Sequence, residues 1–119
     1  MEKLIRIDFD NIGDKIDYCL FNSEFENAQK ISDIIKSSIK ESLKYINENF
    51  KTSKILLIGA DDILFSTINP TLGEIEKLKE FYFTKTGFTV SIGVGNNIKE
   101  AMSNLKEAKV SGKNLIIGL

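Results

Sequence analysis

Two apolar runs that lie almost next to each other constrain the fold of this chain more than any other feature. The run at 54–59, KILLIG, and the run at 63–68, ILFSTI, both have the length and the β-branched content of strands. Only the segment 59–62, GADD, connects them, and it is too short for a helix. The two runs are therefore expected to form a hairpin, with the first of them as a buried strand.

A strand and a long helix are predicted before this hairpin. Residues 4–9 alternate apolar and polar side chains, which is typical of a strand, and a turn is expected at 10–13. Residues 24–50 carry an apolar side chain at every third or fourth position, which predicts a helix with a break or a frayed end. Ser23 and Glu26 have the spacing of a capping box at its start.

A second helix is expected after the hairpin. Pro70 and Thr71 precede it, and Thr71 and Glu74 have the spacing of another capping box. Gly87 is placed to end the helix in a left-handed conformation. Its predicted inner face consists of Leu72, Ile75, Leu78 and Tyr82.

The remaining residues predict a strand at 88–94, a third helix, and a final strand at 114–119. Asn97 is expected to cap this helix and Gly112 to end it. Its apolar side is expected to consist of Ile98, Ala101, Met102, Leu105 and Ala108. The order βαββαβ followed by αβ predicts an α+β fold on the ferredoxin-like plan, with helices packed on a central antiparallel sheet. Apolar residues make up 42% of the sequence, enough for one core, so 1–119 is expected to form a single domain.

The absence of histidine and the single cysteine narrow the possible chemistry. Without histidine the chain has no Ser-His or Cys-His nucleophile pair and no His-ligated zinc or copper site. Metal ligands are then expected to be oxygen atoms, which favours magnesium, manganese or calcium. Cys19 alone cannot form a disulfide within the chain, so a reducing cytoplasm is the expected location.

Charge and hydropathy predict no direct binding to DNA or to membranes. The net charge is −1 with both signs mixed along the sequence, so bulk attraction to a nucleic acid or a lipid surface is not expected. The opening segment, MEKLIRIDFD, lacks the apolar region of a signal peptide. No apolar run reaches the ~20 residues that span a bilayer.

Acidic residues at two distant positions give the strongest functional indication. In the predicted sheet the first and third strands are antiparallel neighbours, so Asp8 at the end of one lies beside Asp61 and Asp62 at the start of the other. Like charges within ~4–6 Å raise at least one pKa unless a cation is present. The cluster therefore predicts a two-metal site for Mg²⁺ or Mn²⁺, of the kind that catalyses phosphoryl displacement.

A triphosphate at such a site needs further positive partners. Lys109 and Lys113 are predicted to lie around the end of the third helix. The turn formed by Asn11, Ile12 and Gly13 offers backbone N–H groups to the same edge. Each feature alone has a simpler explanation, because aspartates favour turns and lysines favour helix C-termini. Only their conjunction indicates a nucleotide-binding site.

Four segments, taken in order, resemble the motifs of a known family. They are DFD at 8–10, GADD at 59–62, FTVSIGV at 88–94 and AKVSGKN at 108–114. Together they resemble GGDEF-type nucleotidyl cyclases, and the GADD form is more similar to the polymerase palm of type III CRISPR complexes. As a lone palm, the chain resembles the minimal CRISPR polymerases (mCpol).

The resemblance implies an enzyme that makes a cyclic di- or oligonucleotide second messenger from nucleoside triphosphates, with ATP favoured, in antiviral defence. It implies Asp8, Asp61 and Asp62 as catalytic metal ligands, with the carbonyl of Phe9 as a further ligand. The residues expected to contact substrate are Asp10, Asn11, Ile12, Gly13, Gly59, Ala60, Lys109 and Lys113. It also implies a separate, membrane-associated effector that reads the product. Because one small palm holds one triphosphate well, cyclisation predicts a homodimer with facing sites.

Three alternatives fit the same sequence. A ring-opening palm enzyme similar to archaeal GTP cyclohydrolase III would act on GTP and release a linear formamide. A non-catalytic nucleotide-binding module would keep the fold but gain little from clustered acids. A ferredoxin-like protein-interaction domain would bind no nucleotide, so its melting temperature would not respond to one.

Overall fold

The structure is a computed structural model that describes residues 1–119 and contains five strands and four helices. In chain order the elements are β1 (Glu2–Phe9), α1 (Ile12–Phe21), α2 (Phe25–Asn49), β2 (Lys54–Ile58), β3 (Asp62–Ile68), α3 (Leu72–Thr86), β4 (Val90–Gly95), α4 (Ile98–Val110) and β5 (Ile116–Ile117). None of the helices combines the length and the apolar character that crossing a bilayer requires.

The strands form one sheet in the order β2-β3-β1-β4-β5. Strand β1 pairs antiparallel with β3 on one side and with β4 on the other, and β2 pairs antiparallel with β3. Strand β5 runs parallel to β4 at the far edge. The first four strands thus have the ferredoxin-like arrangement, and the predicted α+β fold is confirmed.

The apolar core lies between one face of this sheet and the helices α2 and α3. From Ile5 onward every second residue of β1 is buried, namely Ile5, Ile7 and Phe9. The other core side chains from strands and from these helices are Ile63, Phe65, Val90, Ile92, Val94, Ile35, Ile39, Ile46, Ile75, Leu78 and Tyr82. Burying one such aliphatic side chain contributes roughly 1.5–3 kcal/mol, so this face holds the sheet and helices together.

Helix α4 covers part of the opposite face, where β4 must present glycine. A Cβ atom at Gly93 would lie 2.2 Å from the carbonyl oxygen of Ala101 and 2.3 Å from the backbone nitrogen of Leu105. Asn97 caps the helix, as predicted, because its side chain accepts a hydrogen bond from the N–H of Glu100 at 2.9 Å. The close approach at Gly93 sets how tightly α4 packs on the sheet.

We expect Gly93→Ala to lower the free energy of unfolding by about 1–3 kcal/mol, because the added methyl group must push α4 away from β4. Urea unfolding followed by circular dichroism measures the change. Gly73→Ala in the first turn of α3 is a matched control, since a Cβ there meets no atom closer than 4.0 Å. Two variants of equal stability would contradict the close packing at Gly93.

The caps predicted for α3 are confirmed. Thr71 accepts a hydrogen bond from the N–H of Glu74, and the side chain of Glu74 accepts one from the N–H of Thr71. Gly87 ends the helix at a φ of 76°, in the left-handed region. These local signals depend on neighbouring residues alone, which is why the sequence reveals them.

Helix α1 has no counterpart among the predicted elements. Ile12, Ile16 and Cys19 recur at helical spacing, and Ile12 and Cys19 are buried. A helix of 10 residues offers too few repeats for this pattern to be distinctive. The turn predicted at 10–13 is therefore wrong beyond Asn11, after which the helix begins.

The start of α2 also differs from the prediction. Ser23 has a φ of 56°, whereas the first residue of a capping box is extended, so the box with Glu26 is wrong. Glu24 precedes the helix without any side-chain cap. Helix α2 then runs without interruption to Asn49, so the expected break is also wrong.

Some predictions of burial and length are wrong as well. Strand β2 lies at the edge of the sheet instead of being buried, because an apolar run does not reveal which strand is outermost. Three apolar side chains of this strand are about half exposed to water, those of Leu56, Leu57 and Ile58. Three helical side chains predicted to face the core are exposed instead, those of Leu72, Ile98 and Met102. The final strand covers only Ile116–Ile117, since the chain leaves the extended conformation at Gly118 with a φ of 110°.

Candidate active site

Three acidic side chains meet where β1 ends and β3 begins. Asp8 and Asp62 are paired across these strands, and Asp61 is the residue before β3. The N–H of Phe9 donates to the carbonyl oxygen of Asp61 at 3.1 Å, which ties the hairpin turn to β1. One carboxylate oxygen from each of Asp8, Asp61 and Asp62 lies within 4.8 Å of the other two. We call these three residues the acidic triad.

The hairpin turn needs glycine beneath Asp62. The N–H of Gly59 donates to the carbonyl oxygen of Asp62 at 3.0 Å, which closes the turn. A Cβ atom at position 59 would lie only 1.6 Å from Oδ1 of Asp62. Any side chain at Gly59 would therefore displace this carboxylate, whereas Ala60 beside it is exposed.

Lys109, in the last turn of α4, contacts the acids of β1. Its Nζ lies 3.2 Å from Oδ2 of Asp8 and 2.7 Å from Oδ1 of Asp10. The same ammonium donates to the carbonyl oxygen of Phe9 at 2.9 Å. The Lys109 side chain is 22% exposed, so this charge is largely shielded from water. Lys109 thus lies near the end of α4, as predicted, and contacts Asp8 of the acidic triad.

The carboxylate of Asp10 is enclosed by hydrogen-bond donors, and the residue is 3% exposed. The hydroxyls of Thr89 and Ser91 each donate to it at 2.7 Å. The N–H of Asn114 donates to it at 3.0 Å, and Lys109 completes the set. Burial alone would raise the pKa of Asp10, but the bonds from Lys109, Thr89 and Ser91 outweigh burial and lower that pKa. Asp10 therefore anchors Lys109, while a contact between Asp10 and a substrate stays a prediction.

The electrostatic balance is different at Asp8. Burial raises the pKa of Asp8 above its ordinary value, and Lys109 opposes this rise. The carboxylates of Asp61 and Asp62 then add to the rise. The charged form of Asp8 is therefore incompletely balanced, and a further positive charge at the acidic triad would stabilise it.

Arg6 also contacts the acidic triad but is not among the residues predicted from the sequence. It lies two positions before Asp8 on β1, and its Nη2 donates to Oδ2 of Asp62 at 2.7 Å. The available signal was a lone cation in the strand LIRIDF, where the period of two places Arg6 and Asp8 on one face. Asp61 forms no ion pair, so Arg6 and Lys109 balance only the other two acids.

The family is shown by a model of the minimal CRISPR polymerase (mCpol) domain, which matches residues 4–119. The chain belongs to this family. No curated protein matches it. The match spans all five strands from Leu4 onward, so it includes every member of the acidic triad as well as Arg6 and Lys109.

Solved structures share the fold of this mCpol domain. The Csm1-Csm4 cassette in complex with pppApApA is 16% identical with a TM-score of 0.69, over 97% of this chain and 20% of that chain. The GGDEF domain of DgcB from Caulobacter crescentus in complex with c-di-GMP is 13% identical with a TM-score of 0.61, over 98% of this chain and 76% of that chain. The active GGEEF domain of a diguanylate cyclase from Vibrio cholerae is 14% identical with a TM-score of 0.57, over 98% of this chain and 81% of that chain. The mCpol chain thus has the palm fold, and it spans only 20% of the Csm1-Csm4 chain.

Two clefts of the mCpol domain are lined by acidic residues that follow β1 or precede β3. One of about 200 Å³ lies between α1, α2 and the hairpin turn, beside Asp61. Its other lining residues are Ile12, Gly13, Ile16, Ser32, Ile35, Lys36 and Ala60. A second of about 420 Å³ opens beside Asp10 and Asn11 at the start of α1. A larger cleft of about 630 Å³ lies between α3 and β5, but no residue of the acidic triad lines it.

The start of α1 gathers the other predicted substrate contacts. Asn11 precedes this helix with a φ of 60°, and its side-chain oxygen accepts a hydrogen bond from Nζ of Lys113. First-turn N–H groups, here those of Ile12 and Gly13, have no acceptor within their own helix. The Lys113 ammonium lies at Asn11, just before these N–H groups, while Asp14 adds a negative charge to the same turn. The side chain of Ile12 is buried, so only its backbone is available there.

Proposed function

We propose that this mCpol domain joins and cyclises nucleoside triphosphates, with ATP favoured, into a cyclic di- or oligonucleotide signal. The observation that carries the proposal is the meeting of three carboxylates within 4.8 Å on the palm of a polymerase-family domain. Clustered acids cost free energy when no cation is bound, so a module that only bound nucleotides would gain little from them. Residues 1–119 act as one catalytic domain in this proposal.

The acidic triad fits a pair of Mg²⁺ or Mn²⁺ ions. Its donors are all oxygen atoms, which these ions prefer, and Asp8 lacks full charge compensation. Asp8, Asp61 and Asp62 would hold the ions, with the carbonyl oxygen of Phe9 as a further ligand. That carbonyl already accepts a bond from Lys109, but its second lone pair is available. Bound ions would lower the pKa of an attacking hydroxyl and offset charge on the leaving pyrophosphate.

In the proposed reaction a ribose hydroxyl of one nucleotide attacks the α-phosphorus of a second, and pyrophosphate leaves. Lys113, whose ammonium contacts Asn11 just before α1, and the first-turn N–H groups of that helix bind the phosphates in this proposal. Lys109 holds Asp8 and Asp10 in place. Its ammonium has only three N–H donors, and they are already engaged, so a direct phosphate contact would require it to release an acceptor.

The cleft beside Asp61 is proposed to receive a base. Its partly exposed Ile16 suits the face of a purine and Ser32 offers a hydroxyl, whereas the lining residues Ile12 and Ile35 are buried. The Csm1-Csm4 cassette, which binds pppApApA, supports adenine as the preferred base. The DgcB domain, which binds c-di-GMP, makes guanine the alternative to test.

Joining two nucleotides into a ring requires a second nucleotide-binding site. Each chain supplies one acidic triad, and two nucleotides must each present a hydroxyl to the other's phosphate, so we propose a homodimer with facing sites. The product would be read by a separate, membrane-associated effector. Synthesis would take place in the cytoplasm and serve antiviral defence.

Product identification tests the proposed reaction. The protein is incubated with ATP alone and with mixed nucleoside triphosphates, in Mg²⁺, Mn²⁺ or EDTA, and the products are resolved by mass spectrometry. We expect a cyclic product and pyrophosphate only with a divalent cation, and a specific activity that falls when the dimer is diluted.

Other products would point elsewhere. A linear formamide from GTP would indicate a ring-opening enzyme instead of a cyclase. Absence of any product, together with no nucleotide-induced rise in the melting temperature, would favour a protein-interaction domain.

A further inference from the structure

Arg6 is held at the acidic triad chiefly by Asp62. The Nη2–Oδ2 distance is 2.7 Å, and the two side chains are 15% and 22% exposed. The other guanidinium nitrogen, Nη1, lies 3.4 Å from the carbonyl oxygen of Ile7 and 3.5 Å from that of Ile63. Contacts of this length are weak, so loss of the Asp62 partner would free the guanidinium.

The Asp62 carboxylate is confined from both sides. Its Oδ2 accepts from Arg6, and its Oδ1 lies directly above Gly59, where even a Cβ atom would be 1.6 Å away. The carboxylate therefore cannot turn freely to a new partner while Arg6 is bound. Asp61, by contrast, has no ion pair to give up.

We propose that Arg6 is an internal counter-ion that competes with a divalent cation for Asp62 and thereby weakens the binding of that cation. The inference rests on the proposed function, because it takes the acidic triad as the metal site. An ion ligated by Asp62 must either displace the guanidinium or lie beside it, and like charges a few ångström apart repel. Arg6 thus lowers the repulsion among the acids before an ion arrives and opposes the ion that replaces it.

Calorimetric titration with Mn²⁺ alone, without nucleotide, measures this competition. Arg6→Gln and Arg6→Met remove the charge, and Met keeps the apolar stem if Gln proves unstable. We expect both to bind Mn²⁺ more tightly by about three- to tenfold, as screened repulsion predicts. Arg6→Lys keeps the charge and should remain within about twofold of the native affinity.

Lys3→Gln is the matched control. It removes the same charge from the same strand, but the Lys3 ammonium contacts Asn96 and not the acidic triad. Its Mn²⁺ affinity should equal that of the native protein, which separates a local effect of Arg6 from a change in net charge. The double variant Asp61→Asn/Asp62→Asn should lose the Mn²⁺ signal and so locates the binding.

The Mn²⁺ affinities of these variants distinguish competition by Arg6 from a supporting role and from a net-charge effect. Unchanged or weaker Mn²⁺ binding in both charge-free variants would overturn the inference, and weaker binding would mean that Arg6 holds Asp62 ready for the ion. The metal site would be overturned, and the inference with it, by either of two results. One is an Asp61→Asn/Asp62→Asn variant that binds Mn²⁺ as tightly as the native protein, and the other is no Mn²⁺ binding by any of the proteins. Tighter binding in Lys3→Gln as well would reduce the effect to net charge.

Discussion

Replacing Asp61 with asparagine should lower the rate of cyclic nucleotide formation by about a thousandfold or more while leaving the fold intact. An amide supplies a neutral ligand in place of a charged one, so the site loses charge compensation for both the ions and the reacting phosphate. Product formation from ATP with Mg²⁺, quantified by mass spectrometry, measures the loss. Activity near the native level would contradict the metal mechanism and would favour a different role for the acidic triad.

The same variant separates a catalytic acid from a structural one. Asp61 makes no ion pair, and its charge contributes to the raised pKa of Asp8, so its removal relieves repulsion. We therefore expect the melting temperature without metal to stay constant or to rise. Asp17→Asn, an exposed acid on α1, is the control and should change neither activity nor stability.

The position of the acidic triad could be predicted because short-range patterns determine it. Two apolar runs joined by a short turn force a hairpin, and the ferredoxin-like plan then places β1 next to β3. Asp8 and Asp62 become direct partners across these strands. Strand periodicity, connection length and the ferredoxin-like plan together are sufficient for that result.

The contacts that control these acids could not be predicted in the same way. The pair of Arg6 with Asp62 depends on side-chain direction and on the register of β1 against β3. The donors around Asp10 come from distant segments, with Thr89 79 positions away and Asn114 104 positions away. Single-sequence patterns carry no information about such separations, so the sequence predicts Asp10 as a substrate contact and not as the buried partner of Lys109.

The errors in the fold have a related cause. Strand β2 is as apolar as an inner strand, and only the strand order places it at an edge with Leu57 half exposed. Helix α1 buries Ile12 and Cys19 but is too short to be recognised before its packing against α2 is known. Tertiary position, and not local propensity, decides both cases.

Lys109→Met should lower the free energy of unfolding by about 3–5 kcal/mol, because it leaves a buried charge without its cationic partner. The Asp10 side chain is 1% exposed, and after the substitution only neutral donors such as Thr89 and Ser91 would face it. Urea unfolding monitored by circular dichroism gives the value. Lys106→Met, on the exposed side of the same helix, controls for the loss of a surface lysine and should be nearly neutral.

A double-variant cycle with Asp10→Asn isolates the pair itself. If the ion pair is the cause, Asp10→Asn/Lys109→Met should be more stable than the sum of the single changes predicts, by about 1–3 kcal/mol. The asparagine is neutral, so its burial without Lys109 leaves no unpaired charge in the protein interior. Additive effects would instead show that Lys109 contributes little to the stability of the buried Asp10 beyond what Thr89 and Ser91 provide. Lys109 could then leave Asp10 at little cost to the fold, and the triphosphate contact that the sequence predicts for it would be feasible.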